Sequence, residues 1–421
     1  MALLHLAADW ARRHGRRLLA ITIDHGLNPA SPAWGQTCRR ACEGLGVDWI
    51  ERRWEGDKPA TGLTAAARAA RHALIAEAAR EAGAKIVLMA HTADDVAESD
   101  WMRDRGATLG ALREWSPSPS WPQGRGVMLL RPALAERRED LRAYLTTRGA
   151  QWIEDPGNAD SRFGRSRARA ALAPLGAGEG RHSHIHAGGD RLTALGRPIP
   201  LPLGEGFCLG RDESRTALAA AIVCAGGGDQ PPRGDRLDLL ASRIGAGEDF
   251  TATLAGARIV AEADRVLIGR EPGDLRRRPA PDLGLEPDRA AVWDGRYEIT
   301  VAEPGWTATS ASGRLAGLSD ADRAVLKTVP AWARGAIPVL IRDDRAAPVL
   351  AWRAAEVLAL APRRLELALS ALGSGETTQE TDLFRPVHGE TSPTDLFSRP
   401  DHQAARVSTR RRGTEDRNES A

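Results

Sequence analysis

A histidine and a group of carboxylates follow the apolar run of residues 85–90. His91, Asp94, Asp95 and Glu98 are spaced so that on a helix they share one face. Carboxylates at the carboxyl end of a buried strand can bind Mg²⁺ or face a nucleotide. The structural alternative is that they only complement the dipole of a helix that begins there. We predict that Asp94 and Asp95 bind a metal ion.

A second polar pair, Asp24 and His25, follows the apolar run of residues 18–23. The carboxyl ends of parallel strands meet at one edge of a sheet, and open α/β sheets bind their ligands at that edge. The pair is therefore expected near His91, and we predict that it binds a nucleotide.

Two arginines, Arg68 and Arg71, lie on a predicted helix over residues 64–82 that otherwise carries mainly small side chains. Their spacing puts them on neighbouring positions of one helix face. The planar guanidinium group is well shaped for phosphate oxygens. If the helix points at the strand ends, the pair can bind a triphosphate; otherwise the pair forms a solvated face.

A basic stretch follows Trp152. Its arginines are Arg162, Arg165, Arg167 and Arg169. The rings of Trp152 and Phe163 lie among these positive charges, a composition typical of contacts with RNA phosphates. A solvated surface is the alternative, and we predict that the arginines bind RNA.

The elements that must position these groups are indicated by short apolar runs that alternate with helical segments. They are helix 2–14, strand 18–23, helix 34–45, strand 47–54, helix 64–82, strand 85–90, a helix from 91 and a helix over 137–148. This order predicts an α/β fold with a doubly wound, mainly parallel sheet. Such a domain normally opens with a strand and a phosphate-binding turn. This sequence opens on a helix, so the first strand is predicted to be lacking.

The chain of 421 residues is long enough for two or three domains. We predict an α/β catalytic domain over 1–175, a linker over 176–189, a smaller α+β unit over 190–295, a second mixed unit over 296–370 and a disordered tail over 371–421.

Composition excludes several classes of protein. A net charge of +2 opposes a protein that coats a polyanion with its whole surface. Four cysteines without a CxxC pair oppose a disulfide framework, a thiolate zinc site and a dithiol redox centre. The apolar start lacks the basic segment of a signal peptide, and no apolar run is long enough to span a bilayer. We predict a cytoplasmic protein with no membrane partner; the sequence leaves a homodimer open.

Several short motifs occur in a characteristic order. They are Asp24-His-Gly-Leu27, Ala65-Ala-Ala-Arg68 with Arg71, Ala90-His-Thr-Ala-Asp-Asp-Val-Ala-Glu98, Arg131-Pro132, Trp152-Ile-Glu-Asp-Pro-Gly-Asn158 and Arg165-Ser-Arg-Ala-Arg169. This set resembles the tRNA(Ile)-lysidine synthases, a family of the PP-loop (N-type) ATP pyrophosphatase superfamily. The resemblance is dense over residues 1–172 and weaker over 190–370.

The resemblance implies an ATP-dependent reaction on isoleucine tRNA with the CAU anticodon. ATP adenylates the 2-oxygen of the wobble cytidine, and L-lysine then displaces AMP to leave lysidine. It further implies Mg²⁺ and phosphates near Asp94 and Asp95, and a catalytic role for Arg68, Arg71 and His91. The tRNA would be bound by Arg131 and by the arginines of residues 162–169.

The sequence departs from the family in two places. The family's pyrophosphate loop, Ser-Gly-Gly-x-Asp-Ser, precedes residues like Ala2 to Leu6, where this sequence begins, and Ser166 stands where Asn is usual. We expect either a start further upstream or an inactive product. Two other functions compete with the ligase: a catalytically silent protein that still binds tRNA, and a tRNA-thiolating enzyme. Thiolating relatives commonly need reactive cysteines or a CxxC pair, and the sequence has no CxxC pair.

Overall fold

The computed structural model describes residues 1–107, 112–117, 126–154, 164–173, 198–232, 234–277 and 282–372. The predictions for Arg162, for the linker at 176–189 and for the tail beyond residue 372 lie outside these ranges. Within them, no helix is both long and apolar enough to cross a bilayer.

The first region contains six helices and five strands among its described residues. The helices are α1 (Ala2–Arg13), α2 (Ser31–Leu45), α3 (Leu63–Glu81), α4 (Ala93–Arg103), α5 (Arg138–Thr147) and α6 (Gly164–Leu172). The strands are β1 (Leu19–Asp24), β2 (Asp48–Arg53), β3 (Ile86–Leu88), β4 (Trp115–Pro117) and β5 (Met128–Leu130). The predicted alternation of helices and strands is confirmed.

Local sequence explains several of the boundaries in this region. Pro32 lies in the first turn of α2, where its missing N–H removes no helical hydrogen bond. Gly46 ends the same helix with a left-handed φ of 67°, a conformation that glycine adopts without strain. Thr92 and Asp95 begin α4 with reciprocal hydrogen bonds between side chain and backbone.

The parallel pairing is divided between two small sheets. β1 pairs with β2 in parallel, and β3 pairs with β5 in parallel, with β4 antiparallel on the far side of β5. No described strand joins the two sheets by hydrogen bonds. The predicted α/β class with mainly parallel pairing is confirmed.

The later region carries antiparallel sheets. Its helices are α7 (Arg215–Ala225), α8 (Asp235–Gly245), α9 (Pro272–Arg277), α10 (Asp320–Leu326) and α11 (Leu360–Leu372). One sheet has the order β6-β7-β10-β9-β8, with β6 (Ile199–Pro200), β7 (Gly206–Gly210), β8 (Phe250–Leu254), β9 (Ala257–Glu262) and β10 (Arg265–Arg270). A second has the order β11-β14-β15-β16, with β11 (Leu283–Gly284), β14 (Thr307–Ser310), β15 (Pro338–Arg342) and β16 (Arg345–Leu350). The third is β12-β13-β17, with β12 (Ala291–Trp293), β13 (Tyr297–Val301) and β17 (Ala355–Ala359).

One apolar core connects the two regions. Met128 of β5 is fully buried in the same cluster as Ile222 of α7, Ile259 of β9 and Leu365 of α11. The last helix thus packs back on α7 and also contacts β4 and β5. Burial of apolar side chains on both sides of this contact stabilises the attachment of the later region to the sheet that contains β4 and β5. The domain boundaries at 175, 295 and 370 stay predictions.

Candidate functional site

The polar pair after β1 lies at the strand's carboxyl end, as expected. Asp24 is the last residue of β1, and its carboxylate accepts a hydrogen bond from the Gly26 backbone at 2.8 Å. Burial, followed by the charge of Arg71, lowers the pKa of His25. His25 therefore lies close enough to α3 for the charge of Arg71 to affect it, whereas the Asp24 carboxylate stabilises the turn that follows β1.

Four arginines from three segments of the chain, two of them on α3, form a cationic cluster beside these strand ends. The cationic cluster consists of Arg68, Arg71, Arg131 and Arg165, which influence one another electrostatically. Burial lowers the pKa of Arg68 and Arg71, and the charge of Arg165 lowers it further at Arg68, as that of Arg68 does at Arg71. The buried Nε of Arg71 has no hydrogen-bond partner among the described residues. Guanidinium groups held together in this way favour a multivalent anion such as a triphosphate.

His91 is held by one member of this cluster. The Nε–H of Arg131 donates to Nδ1 of His91 at 3.1 Å, and Nη1 of Arg131 donates to the Arg113 carbonyl at 2.7 Å. This geometry assigns the proton of the neutral imidazole ring to Nε2. Burial, with the charge of Arg131, lowers the pKa of His91 to about 3. At neutral pH His91 is therefore a hydrogen-bond donor of fixed tautomer.

Arg131 itself is 7% exposed and burial lowers its pKa to about 10. It lies inside the cationic cluster, and only a small part of it is available to a large partner. The sequence predicted a tRNA contact at this position. The structure shows that Arg131 holds His91, and the tRNA contact at this position stays a prediction.

The two carboxylates predicted to bind metal accept hydrogen bonds at the starts of helices. Oδ2 of Asp94 accepts the Arg138 backbone N–H at 2.7 Å, at the start of α5. Oδ2 of Asp95 accepts from the backbone N–H and the hydroxyl of Thr92, each at 2.9 Å. Oδ1 of Asp95 lies 3.5 Å from Nη1 of Arg165. Asp95 is thus engaged at the start of its own helix, α4, whereas Asp94 is engaged at the start of α5.

These contacts bear on whether the residues fit a Mg²⁺ ion. The described ranges hold no group of three or more His, Cys, Asp or Glu side chains placed to bind a metal. Magnesium in proteins prefers near-octahedral oxygen ligands, several of which are water or substrate phosphate. Asp95 is instead surrounded by the guanidinium groups of Arg138 and Arg165. In this arrangement the residues do not fit a metal site, so no step below is routed through Mg²⁺.

Glu98 is the centre of a buried ion-pair group that the sequence did not reveal. Its side chain is 1% exposed, and Oε1 accepts from Nη2 of Arg138 at 3.1 Å and from Nε of Arg169 at 2.9 Å. One carboxylate therefore connects α4 with α5 and α6. Nothing in the local pattern marked Arg138 as its partner, because the two residues are far apart in the chain.

The arginines of α6 point in two directions. Arg165 and Arg169, four positions apart, share the face that meets Asp95 and Glu98 of α4. Arg167, on the other side of the helix, is exposed. The predicted RNA-binding set is thus divided: two members pair with carboxylates, and Arg167 remains accessible from solvent.

His72 is a further site residue that sequence reasoning missed. It is 9% exposed, and its Nε2 has no hydrogen-bond partner in the described part of the chain. Burial, with the charges of Arg68 and Arg71, lowers its pKa to about 4. The available signal was its position one helical turn after Arg68, which puts both on one face of α3.

The four cysteines are free thiols in the structure. Burial raises the pKa of Cys42 and Cys224 to about 11, and it also raises the pKa of Cys208. Reactive cysteines have a lowered pKa, so these three thiols are typical of packing residues.

The chain is similar to several known proteins. The sequence pattern of the PP-loop domain matches residues 1–175. The tRNA(Ile)-lysidine synthase of Caulobacter vibrioides is 40% identical over 392 residues, which cover 89% of this chain and 92% of that protein. Those of Hyphomonas neptunium and Rhizobium meliloti are 36% and 34% identical, over 65% and 74% of this chain and 79% and 72% of theirs. The chain is therefore an enzyme of the tRNA(Ile)-lysidine synthase family, built on a PP-loop domain.

Proposed function

We propose that this chain ligates L-lysine to C2 of the wobble cytidine in the CAU-anticodon isoleucine tRNA. ATP supplies the energy and leaves as AMP and pyrophosphate, by way of an adenylated cytidine. The observation that carries the proposal is the cationic cluster at the strand ends, in a chain whose relatives are named for this synthesis.

The first step places a demand on the cluster. The cytidine 2-oxygen attacks the α-phosphorus of ATP, the bond to the β-phosphate oxygen breaks, and pyrophosphate leaves with the electron pair. Negative charge builds on the leaving group in the transition state, and preorganised cations lower the barrier most where that charge develops. Arg68 and Arg71 supply two such cations from one face of α3, and Arg165 adds a third from α6.

His91 contributes a hydrogen bond instead of a proton transfer. Its pKa of about 3 keeps the ring neutral over the physiological range, and Arg131 holds Nδ1. The Nε2–H can then donate to an anionic oxygen of the nucleotide or to the cytidine. In the second step the lysine amine attacks C2 and AMP leaves; the cationic cluster is suited to stabilise the departing phosphate as well.

The remaining partners are part of the same proposal. L-lysine and the tRNA follow from the reaction, and ATP use is consistent with a PP-loop domain. A requirement for Mg²⁺, a homodimer and a cytoplasmic location stay predictions.

The reaction can be tested with labelled lysine. We expect the purified protein to transfer the label to isoleucine tRNA with a CAU anticodon, with one AMP formed per lysine. An isoleucine tRNA with a GAU anticodon is the control, because it has no wobble cytidine. Binding of the tRNA without label transfer would support the silent protein, and incorporation of sulfur from a thiol donor would support the thiolating enzyme.

The two faces of α6 give a second prediction. We expect Arg167→Ala to weaken tRNA binding and to reduce the slope of log K against log salt by about 1, with ATP binding unchanged, because the lost contact is with a phosphate. Arg165→Ala is the matched variant on the other side of the same helix, and we expect it to weaken ATP binding. Filter binding for tRNA and calorimetry for ATP measure both. Equal effects of the two variants on both ligands would contradict the division.

A further inference from the structure

Residues 113–117 form a short segment that contacts the site at one end. Two of its carbonyls accept hydrogen bonds from Arg131, that of Arg113 from Nη1 and that of Glu114 from the backbone N–H, each at 2.7 Å. The Nε–H of the same guanidinium group donates to Nδ1 of His91 at 3.1 Å. Because one planar group makes both side-chain bonds, the position of the Arg113 carbonyl sets how Arg131 meets His91.

The sheet contributes few bonds to this segment. Its last three residues are β4, which lies at the edge of the order β3-β5-β4 and pairs with β5 alone among the described strands. Pro117 has no N–H and cannot donate a hydrogen bond to the ladder. Contacts from outside the sheet therefore contribute much of what holds the segment in place.

Arg364 of α11 supplies such a contact from the later region. It is 3% exposed, and its Nη2 donates to the Pro117 carbonyl at 2.9 Å and also to the Gly228 carbonyl after α7. Its Nη1 donates to the Gly295 carbonyl, between β12 and β13, at 3.4 Å. One buried guanidinium group thus connects the end of β4 with two segments of the later region.

The other two residues of β4 also contact the later region. The hydroxyl of Ser116, which is 6% exposed, donates to the Asp229 backbone carbonyl. The Trp115 side chain packs against the apolar core shared by β5, α7 and α11. The segment is therefore held by the later region at 115–117, while its carbonyls at 113 and 114 contact Arg131.

We propose that Arg364 is a positioning residue for the reaction proposed above: by holding the Pro117 end of residues 113–117, it places the Arg113 carbonyl that orients Arg131, which in turn holds the ring of His91. The inference rests on the proposed function and adds a residue of the later region that acts on the site through hydrogen bonds. It means that the site keeps its geometry only when α11 is packed against β4.

The variant Arg364→Met removes the hydrogen-bond donors and keeps an unbranched side chain. We expect kcat for lysine transfer to fall about tenfold, with KM for tRNA unchanged, because a displaced hydrogen-bond donor acts on the chemical step. In ligand-free protein, the ring-nitrogen NMR signal of His91 should shift, and the backbone amide of Arg131 should exchange with solvent about tenfold faster. Arg364→Lys, which still carries donors, should recover part of each change.

Ser116→Ala tests the same connection with a smaller loss of buried contacts. It removes one hydrogen bond between β4 and the later region and leaves Arg364 in place. We expect changes of the same kind in the His91 signal and in the exchange of the Arg131 amide, smaller than those of Arg364→Met. This variant keeps the proposal testable if Arg364→Met does not fold.

Arg353→Met is the matched control. Nε of Arg353 donates to Oδ1 of Asp322 at 2.7 Å, and Asp322 is 2% exposed, so the variant removes an ion pair from a buried carboxylate at a distance from β4. We expect a lower unfolding temperature, with kcat and the His91 signal as in the unaltered protein below that temperature.

Two results would overturn the proposal. One is an unchanged His91 signal in Ser116→Ala or in a folded Arg364 variant. The other is a loss of kcat in Arg353→Met equal to that in Arg364→Met, because general destabilisation would then explain both. The NMR measurement needs no substrate, so a chain that fails to make lysidine would refute the proposed function separately.

Discussion

Replacing Arg71 with methionine is expected to lower the rate of lysidine formation about 10²–10³-fold, the usual cost of removing one preorganised charge from a developing anion. The Nε of Arg71 is buried and has no hydrogen-bond partner among the described residues, and burial has already lowered the pKa of this guanidinium group. A phosphate would supply the missing acceptor. Pyrophosphate release in a single turnover measures the effect directly.

The same substitution separates a catalytic role from a structural one. The repulsion of Arg71 by Arg68 and Arg165 outweighs its attraction to Asp95, so its removal is expected to leave the thermal unfolding temperature unchanged or raised. Arg80→Met, at an exposed position in the last turn of the same helix, is the control and should keep full activity. A lower unfolding temperature in Arg71→Met would mean that this arginine serves the fold.

Replacing Glu98 with glutamine is expected to lower the free energy of unfolding by about 2 kcal/mol. Removing one partner of a fully buried ion pair costs about 3–5 kcal/mol, because an uncompensated charge is left behind. The cost here is smaller because Arg138 and Arg169 are 27% and 35% exposed and keep contact with water. Denaturant unfolding followed by circular dichroism measures the change.

An exposed ion pair provides the comparison for Glu98. Arg39 and Glu43 are 53% and 59% exposed and lie one turn apart on α2. We expect Glu43→Gln to change the free energy of unfolding by no more than about 0.5 kcal/mol. Similar losses in the two variants would show that the connection from α4 to α5 and α6 adds no stability beyond that of a surface pair.

The local sequence was sufficient to predict the elements of the first region. The run at 18–23 and the Ala-rich segment at 64–82 appear as β1 and α3, each displaced by one residue at both ends. Strand and helix formation depend mainly on neighbours within a few positions, so the periodicity of apolar side chains carries the information. The same reasoning placed His91 and Asp24 at strand ends, because parallel strands present their carboxyl ends at one edge.

The partners of individual charged side chains could not be predicted from local sequence. From the sequence, Asp94 and Asp95 were predicted to bind a metal ion, with a helix start as the structural alternative. Only the packed structure supplies the Arg138 backbone N–H that engages Asp94 and the guanidinium groups that surround Asp95. The residues next to a carboxylate in the sequence indicate which ligands that carboxylate could bind. Its neighbours in the folded structure determine which groups it contacts.

Tertiary structure alone decided which distant groups meet. His91 and Arg131 are 40 positions apart, as are Glu98 and Arg138. Such pairs form only after strands and helices have packed, so no spacing rule along the chain predicts them. The burial that lowers the pKa of His91 has the same origin, because water is excluded by the assembled fold. The sequence thus determined the family and the set of groups available for chemistry, and the packing determined their partners and protonation.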